Sequence, residues 1–216
     1  MQTKTNYNNI HHIDNHLQKS YDETGEKERY CLTNLFKYMT DKQDNYIYHF
    51  TPTESGKSIS YDGLLTLRNK LTDKIIKHFI IEAKVRNTHQ NYDTLALEQN
   101  KYNKLKKKTE EFKIESYYEI GTLYINFLAD GTYIFDLQDI VRDKLLPKLT
   151  KIMMNKYTID PSQGKVQKNN YLLDKKLATK QKWIYSDKVY TEYLLQEIQD
   201  KTKTVQNIIK KTYSIF

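Results

Sequence analysis

The sequence is poor in the residues that cross-link or interrupt a chain. It has one cysteine, Cys31, with three prolines and six glycines in 216 residues. A single cysteine excludes an intramolecular disulfide framework and is typical of a reducing compartment. No run approaches the ~18 apolar residues that a membrane-spanning helix needs. The first residues lack the apolar stretch of a signal peptide. We therefore expect a cytoplasmic protein without a membrane partner, or one in the host cytoplasm if the chain is viral.

Basic residues are in excess and unevenly distributed. The formal net charge is +8, and residues 151–188 alone contain nine lysines against three aspartates. Such a surface attracts polyphosphates, although a solvated lysine face is the simpler interpretation of any single run. A second basic run closes a predicted helix and consists of Lys101, Lys104, Lys106, Lys107 and Lys108.

Residues 1–27 carry no sustained apolar period and predict a flexible N-terminal arm. His12 and His16 would share a face of a helix. Because no cysteine lies nearby and the acidic residues there show no ligand pattern, we do not expect a metal site in this arm.

Hydrophobic periodicity predicts a core domain over residues 28–140 and a basic, mainly helical extension over residues 141–216. Within the core the pattern indicates helices at residues 28–40 and 92–108. It indicates strands at residues 46–51, 59–67, 74–85, 123–127 and 133–137. The extension is expected to begin with a helix running to about Met153 despite Pro147, followed by a hairpin within residues 155–185. A long helix from Asp187 is a candidate oligomerisation element.

The third predicted strand carries the residues with the clearest chemistry. Glu82 and Lys84 lie two positions apart, so both side chains leave the same face of the strand. An ion pair or a wet strand edge would also explain them. Asp62, in the preceding strand, can converge on the same point through a hairpin. Asp73 is a rival for that role, but it falls in a predicted turn.

Two carboxylates at one point suit a hard divalent cation, Mg²⁺ or its substitute Mn²⁺. The ligands would be Asp62, Glu82 and the main-chain carbonyl of Ala83. Lys84 would stabilise phosphate charge or orient the attacking water.

Asp62, followed after 19 residues by Glu82-Ala83-Lys84, resembles the motif of the PD-(D/E)XK nuclease superfamily. Its restriction-endonuclease-like fold is a helix, a three-strand meander, a crossover helix and a fourth strand, giving a central mixed sheet flanked by helices. The predicted element order follows it over residues 28–137, although Tyr61 replaces the motif's proline. The resemblance implies that Asp62, Glu82 and Lys84 are catalytic. It also implies auxiliary roles for Glu28, Gln99 and Tyr102.

Candidate DNA-binding residues lie outside this cluster. Arg86 could contact a backbone phosphate, or be an ordinary surface arginine. A wider basic footprint is expected at Lys165, Lys168, Lys175 and Lys176. For Trp183, core packing is the better interpretation than base stacking.

The sequence thus predicts a Mg²⁺-dependent nuclease that hydrolyses DNA phosphodiester bonds. The first alternative is a catalytically silent protein of the same fold, which binds DNA or serves in assembly, for example in a virus. The second alternative involves no nucleic acid and uses the C-terminal helix for oligomerisation.

Overall fold

A computed structural model of the chain describes residues 15–53, 61–86, 92–157 and 160–213. The described residues form a mixed α+β fold of four α-helices, one short 3-10 turn and nine strands. In chain order these are α1 (Asn15–Lys42), β1 (Tyr46–Pro52), β2 (Gly63–Asn69), β3 (Ile75–Val85), β4 (Thr94–Glu98), α2 (Gln99–Glu115), β5 (Glu119–Leu128), β6 (Gly131–Asp136), α3 (Leu137–Arg142), β7 (Leu149–Tyr157), β8 (Asp160–Asp174), the 3-10 turn (Lys175–Leu177), β9 (Thr179–Gln181) and α4 (Asp187–Tyr213).

The main sheet is mixed and has the strand order β1-β2-β3-β5-β6-β9. Strands β1, β2 and β3 form an antiparallel meander, whereas β3 and β5 run parallel. Parallel neighbours need a crossover connection, and here it contains β4 and α2. A second sheet of three strands has the order β4-β8-β7.

Two apolar clusters hold the sheet between its helices. Ile81 and Ala83 of β3 pack with Cys31, Leu32 and other residues of α1. Ile80, one position earlier, belongs to the second cluster, which contains residues of β4, α2 and α3. The alternation along β3 therefore places Glu82 and Lys84 on one face and Ile81 and Ala83 on the other, as the sequence predicts. Trp183 packs against Phe127 at 5.3 Å between ring centroids, so it joins the core.

The predicted flexible arm is wrong for part of its length. Helix α1 begins at Asn15 rather than at residue 28, whereas His12 lies outside the described residues. Residues 15–27 contain few apolar side chains, so hydrophobic periodicity gives no signal for a helix there. The helix continues there on backbone hydrogen bonds once its later turns are packed.

The crossover also differs from its prediction. Residues 92–108 were expected to form one helix, but Leu95 and Leu97 lie in strand β4, each 1% exposed. Two buried leucines at alternate positions are the signature of a strand. This strand is only five residues long. Because polar residues precede it and a helix follows it, its alternation is not visible in the sequence.

The C-terminal extension is not mainly helical. Helix α3 ends at Arg142, and of the residues up to 153 that were predicted as its continuation, those from Leu149 lie in strand β7. The helix stops where Lys144 adopts a left-handed φ of 58°, and Pro147 disfavours its resumption because proline lacks the N–H of a helix hydrogen bond. The long helix from Asp187 is confirmed. Within the described residues, no helix combines the length and apolarity required to cross a membrane.

Candidate carboxylate–lysine site

The register of β2 on β3 places Asp62 beside Glu82. Gly63 pairs with Ile81, and the Asp62 N–H donates to the Ile81 carbonyl at 2.7 Å. The Asp62 carboxylate then accepts a hydrogen bond from the Ala83 N–H at 2.6 Å. These two hydrogen bonds therefore fix Asp62 at the start of β2, beside the peptide group between Glu82 and Ala83.

The main-chain carbonyl of Ala83 lies on the same side. In an extended strand, the N–H and C=O of one residue point in the same lateral direction. Since the Ala83 N–H donates to Asp62, the Ala83 carbonyl faces the β2 side of β3. The role of that oxygen as a metal ligand stays a prediction.

Asp73 lies away from this cluster. It occupies the turn between β2 and β3 with a φ of 51°, at the opposite end of β2 from Asp62. Its carboxylate pairs with Arg68 at 3.1 Å and is 73% exposed. Asp62 is thus the aspartate that accompanies Glu82.

Glu82 is fully buried and contacts two lysines. Its side chain is 0% exposed, with Lys84 Nζ at 3.2 Å and Lys101 Nζ at 2.9 Å from its carboxylate oxygens. Within the described part of the chain, neither oxygen accepts a hydrogen bond of ordinary geometry. A buried carboxylate in this state is electrostatically balanced but incompletely coordinated.

Glu28 joins the site from α1. Its carboxylate lies 3.1 Å from Lys84 Nζ, and its side chain is 7% exposed. Glu28, for which the resemblance implies an auxiliary role, therefore lies within reach of Lys84. Three carboxylates (Glu28, Asp62 and Glu82) and two ammonium groups (Lys84 and Lys101) form what we call the carboxylate–lysine cluster.

The ionisation of the cluster reflects this crowding. Burial, reinforced by the charges of Glu82 and Glu28, raises the pKa of Asp62 to about 8. Burial likewise raises the pKa of Glu28. Burial alone would lower the pKa of Lys84, but the carboxylates of Glu28, Glu82 and Asp62 raise it well above its usual range. The three carboxyl groups of the cluster therefore outnumber its two lysines, and Asp62 keeps its proton at neutral pH.

The start of α2 contributes a different residue from those predicted. Gln99 Oε1 accepts a hydrogen bond from Asn169 at 3.0 Å, and the Tyr102 ring packs on Tyr171 at 5.1 Å. Lys101, between them, is the residue that contacts Glu82. The sequence marked Lys101 only as part of a basic run, because the exact rotation of α2 on the sheet cannot be read from a polar helix start.

Arg86 follows β3 and is half-buried. Its guanidinium donates to Asn126 Oδ1 at 2.9 Å, to the Ala96 carbonyl at 3.2 Å and to Tyr124 Oη at 3.1 Å. These partners belong to β4 and β5. These hydrogen bonds tie the two strands to the end of β3, whereas the predicted phosphate contact stays a prediction.

We expect Arg86→Ala to lower the free energy of unfolding by about 2–3 kcal/mol, because it removes hydrogen bonds from a charged donor and leaves Oδ1 of the buried Asn126 without this donor. Chemical denaturation measures this loss, and fluorescence anisotropy is expected to show unchanged DNA affinity. Arg142→Ala is the matched control. Arg142 is 69% exposed and, among the described residues, pairs with the surface aspartates Asp139 and Asp143, so its loss should leave the free energy of unfolding nearly unchanged. A stable variant with weakened DNA binding would contradict this role for Arg86.

The four lysines predicted as a DNA footprint do not form one surface. Lys168 pairs with Glu98 at 3.1 Å, and Lys175 lies 4.9 Å from the centre of the Tyr133 ring. Lys165 and Lys176 are exposed. About ten strand residues separate Lys165 from the Lys175–Lys176 pair, or roughly 33 Å at the usual rise per residue.

Among the residues that the structure describes, no three or more histidine, cysteine, aspartate or glutamate side chains are arranged to hold a metal ion. Magnesium needs fewer, since it is commonly bound through one or two carboxylates while keeping several waters. The buried, incompletely coordinated oxygens of Glu82 and the adjacent Asp62 carboxylate fit such a cation chemically.

Comparison of the chain with protein-family models, with curated proteins and with solved structures yields no match.

Proposed function

We propose that the protein is a Mg²⁺-dependent nuclease of the PD-(D/E)XK type that hydrolyses DNA phosphodiester bonds. The observation that carries the proposal is the convergence of Asp62, Glu82 and Lys84 at the junction of β2 and β3. The element order supports it too: a helix, an antiparallel meander, a helical crossover and a parallel fourth strand.

Asp62, Glu82 and the Ala83 carbonyl would hold the cation. When bound, Mg²⁺ supplies Lewis acidity at a phosphate oxygen and lowers the pKa of water. The fit comes from the chemistry of the donors, all of which are hard oxygens. A bound cation would also offset the crowding of carboxylates that raises the pKa of Asp62.

The lysines act on the substrate's charge. Lys84 keeps its proton because three carboxylates raise its pKa, so it presents a permanent positive charge. During hydrolysis, a water oxygen bonds to phosphorus while the bond to the leaving sugar oxygen breaks, and negative charge grows on the phosphate oxygens. Lys84 stabilises that charge, while Glu28 holds Lys84 in place through their ion pair.

A second candidate function rests on Lys101. Its ammonium lies 2.9 Å from Glu82 and could serve as the permanent partner of that carboxylate in place of a cation. The protein would then bind DNA or take part in assembly without cutting. Metal-dependent cleavage separates the two candidates.

Purified protein is expected to cleave plasmid DNA with Mg²⁺ or Mn²⁺ and not with EDTA. Asp62→Asn should abolish this activity, whereas Asp73→Asn, the matched control from the turn, should leave it intact. Cleavage products resolved on agarose gels provide the measurement. No cleavage by the wild-type protein in either metal would favour the silent DNA-binding alternative, and equal loss in both variants would refute the choice of Asp62.

A further inference from the structure

Strands β7 and β8 form a two-stranded ribbon at the edge of the second sheet. Among the described strands, β7 pairs only with β8. Most side chains of residues 149–156 and 164–169 are exposed. A ribbon exposed on this scale gains little from its own packing, so its side chains are available to a partner.

One face of this ribbon has an unusual set of side chains. Directly paired residues share a face, and here Lys151 lies opposite Asn169, Met153 opposite Gln167, and Asn155 opposite Lys165. We call these six residues the ribbon face. It combines two lysines, three amides and a methionine that is 56% exposed, and it includes no carboxylate.

The ribbon face lies beside the carboxylate–lysine cluster. At its base, Asn169 donates a hydrogen bond to Gln99, the first residue of α2, at 3.0 Å. Two residues further along α2, Lys101 contacts Glu82. Towards the core, the same face carries Tyr171 against Tyr102 of α2. The face is thus the outward continuation of the surface that packs on α2.

These side chains match the edges of DNA bases. Lysine binds the acceptor atoms of guanine, asparagine and glutamine pair with adenine, and an apolar group contacts the thymine methyl. The major groove of B-form DNA is wide enough for a two-stranded ribbon. The corresponding groove of double-stranded RNA is too deep and narrow, and a single strand has no groove.

We propose that the ribbon face enters the major groove of double-stranded DNA and holds the duplex beside the carboxylate–lysine cluster. The proposal rests on the proposed function in one respect, that DNA is the substrate, and it narrows that substrate to the duplex. Lys151 and Lys165 supply the charge for the ribbon, and Asn155 and Gln167 face the base edges.

The test measures binding without divalent metal, so that cleavage plays no part in it. Fluorescence anisotropy with the full chain compares double-stranded DNA, double-stranded RNA and single-stranded DNA of one length and sequence over a range of salt concentrations. The variant is Lys151→Gln/Lys165→Gln. The matched control is Lys37→Gln/Lys42→Gln, which removes the same charge from two exposed positions of α1. Circular dichroism melting verifies that both variants fold.

We expect the wild-type protein to bind double-stranded DNA at least ~10-fold more tightly than the other two nucleic acids. The ribbon variant should lose about two units of the slope of log affinity against log salt, since each phosphate contact contributes about 0.9. The control should keep the wild-type slope. Equal slopes for all three proteins, or equal binding of duplex DNA and either competitor, would overturn the proposal. Duplex binding through the ribbon without any cleavage would overturn only the nuclease assignment.

Discussion

Replacing Lys84 with methionine is expected to reduce metal-dependent DNA cleavage by about 10²–10³-fold, the usual effect of removing one group that stabilises transition-state charge. Methionine keeps much of the side chain's length but removes the ammonium group, which lies 3.2 Å from Glu82 and 3.1 Å from Glu28. Single-turnover cleavage of a labelled duplex gives the rate, and calorimetry with Mn²⁺ should show that metal binding persists.

Two further variants separate catalysis from folding. Lys84→Arg retains the positive charge near the carboxylates and so should fold normally, but its planar guanidinium cannot replace a compact ammonium. We expect it to remain at least ~10-fold slower than the wild-type protein. Lys104→Met changes an exposed lysine of α2 and should be fully active. If Lys84→Met retained cleavage within about 3-fold of wild type, Lys84 would have only a structural role.

We also expect the metal-free protein to become more stable when Asp62 is replaced by asparagine. The metal-free protein holds three carboxylates against two lysines, and burial with this crowding raises the pKa of Asp62 from 3.8 to about 8. Asp62→Asn eliminates the unfavourable buried charge, yet its amide oxygen can still accept the hydrogen bond from Ala83. We expect a gain of about 0.5–2 kcal/mol at pH 8, within the range of other stabilising substitutions.

The gain should depend on pH in a defined direction. Between pH 4 and pH 8 the folded protein keeps a proton on Asp62 that the unfolded chain has already released. The stability of the metal-free wild-type protein therefore falls as pH rises through this window. In Asp62→Asn this contribution is absent, so the two proteins should differ little at pH 4 and most at pH 8.

Thermal melts across this pH range, in EDTA, provide the measurement. A difference of 1 kcal/mol corresponds to about 2–4 °C for a chain of this size. Asp73→Asn serves as the control, since Asp73 is exposed and paired with Arg68, and should show no gain. Adding Mn²⁺ should stabilise the wild-type protein but not Asp62→Asn. An Asp62→Asn variant that melts lower than wild type at pH 8 would contradict the charge-crowding account.

The local sequence pattern was sufficient to predict the strand that carries Glu82 and Lys84 and the turn before it. The apolar residues of β3 and the turn between β2 and β3 are encoded in short stretches, and a strand alternates its side chains whatever surrounds it. The hairpin also brought Asp62 to β3 as predicted. By contrast, β4 is a five-residue strand next to a helix, and the propensities of its neighbours concealed it.

Contacts between residues that are distant in sequence could not be predicted from local patterns. Glu28 and Lys84 are 56 residues apart, and their contact requires α1 to cross the sheet at one particular place. Lys101 reaches Glu82 only because of the rotation of α2, which also directs Gln99 and Tyr102 towards β8. Arg86, for which the sequence offered a phosphate contact or a surface position, donates hydrogen bonds to residues of β4 and β5.

The sequence alone determined that a carboxylate and a lysine share one face of an apolar strand and that Asp62 lies one hairpin away. These are properties of backbone geometry over a few residues. Tertiary structure decided how many charges meet there, and therefore how strongly the pKa of Asp62 is raised. It also placed the ribbon face next to the cluster. Burial and convergence depend on the packing of whole helices and strands, which no local pattern specifies.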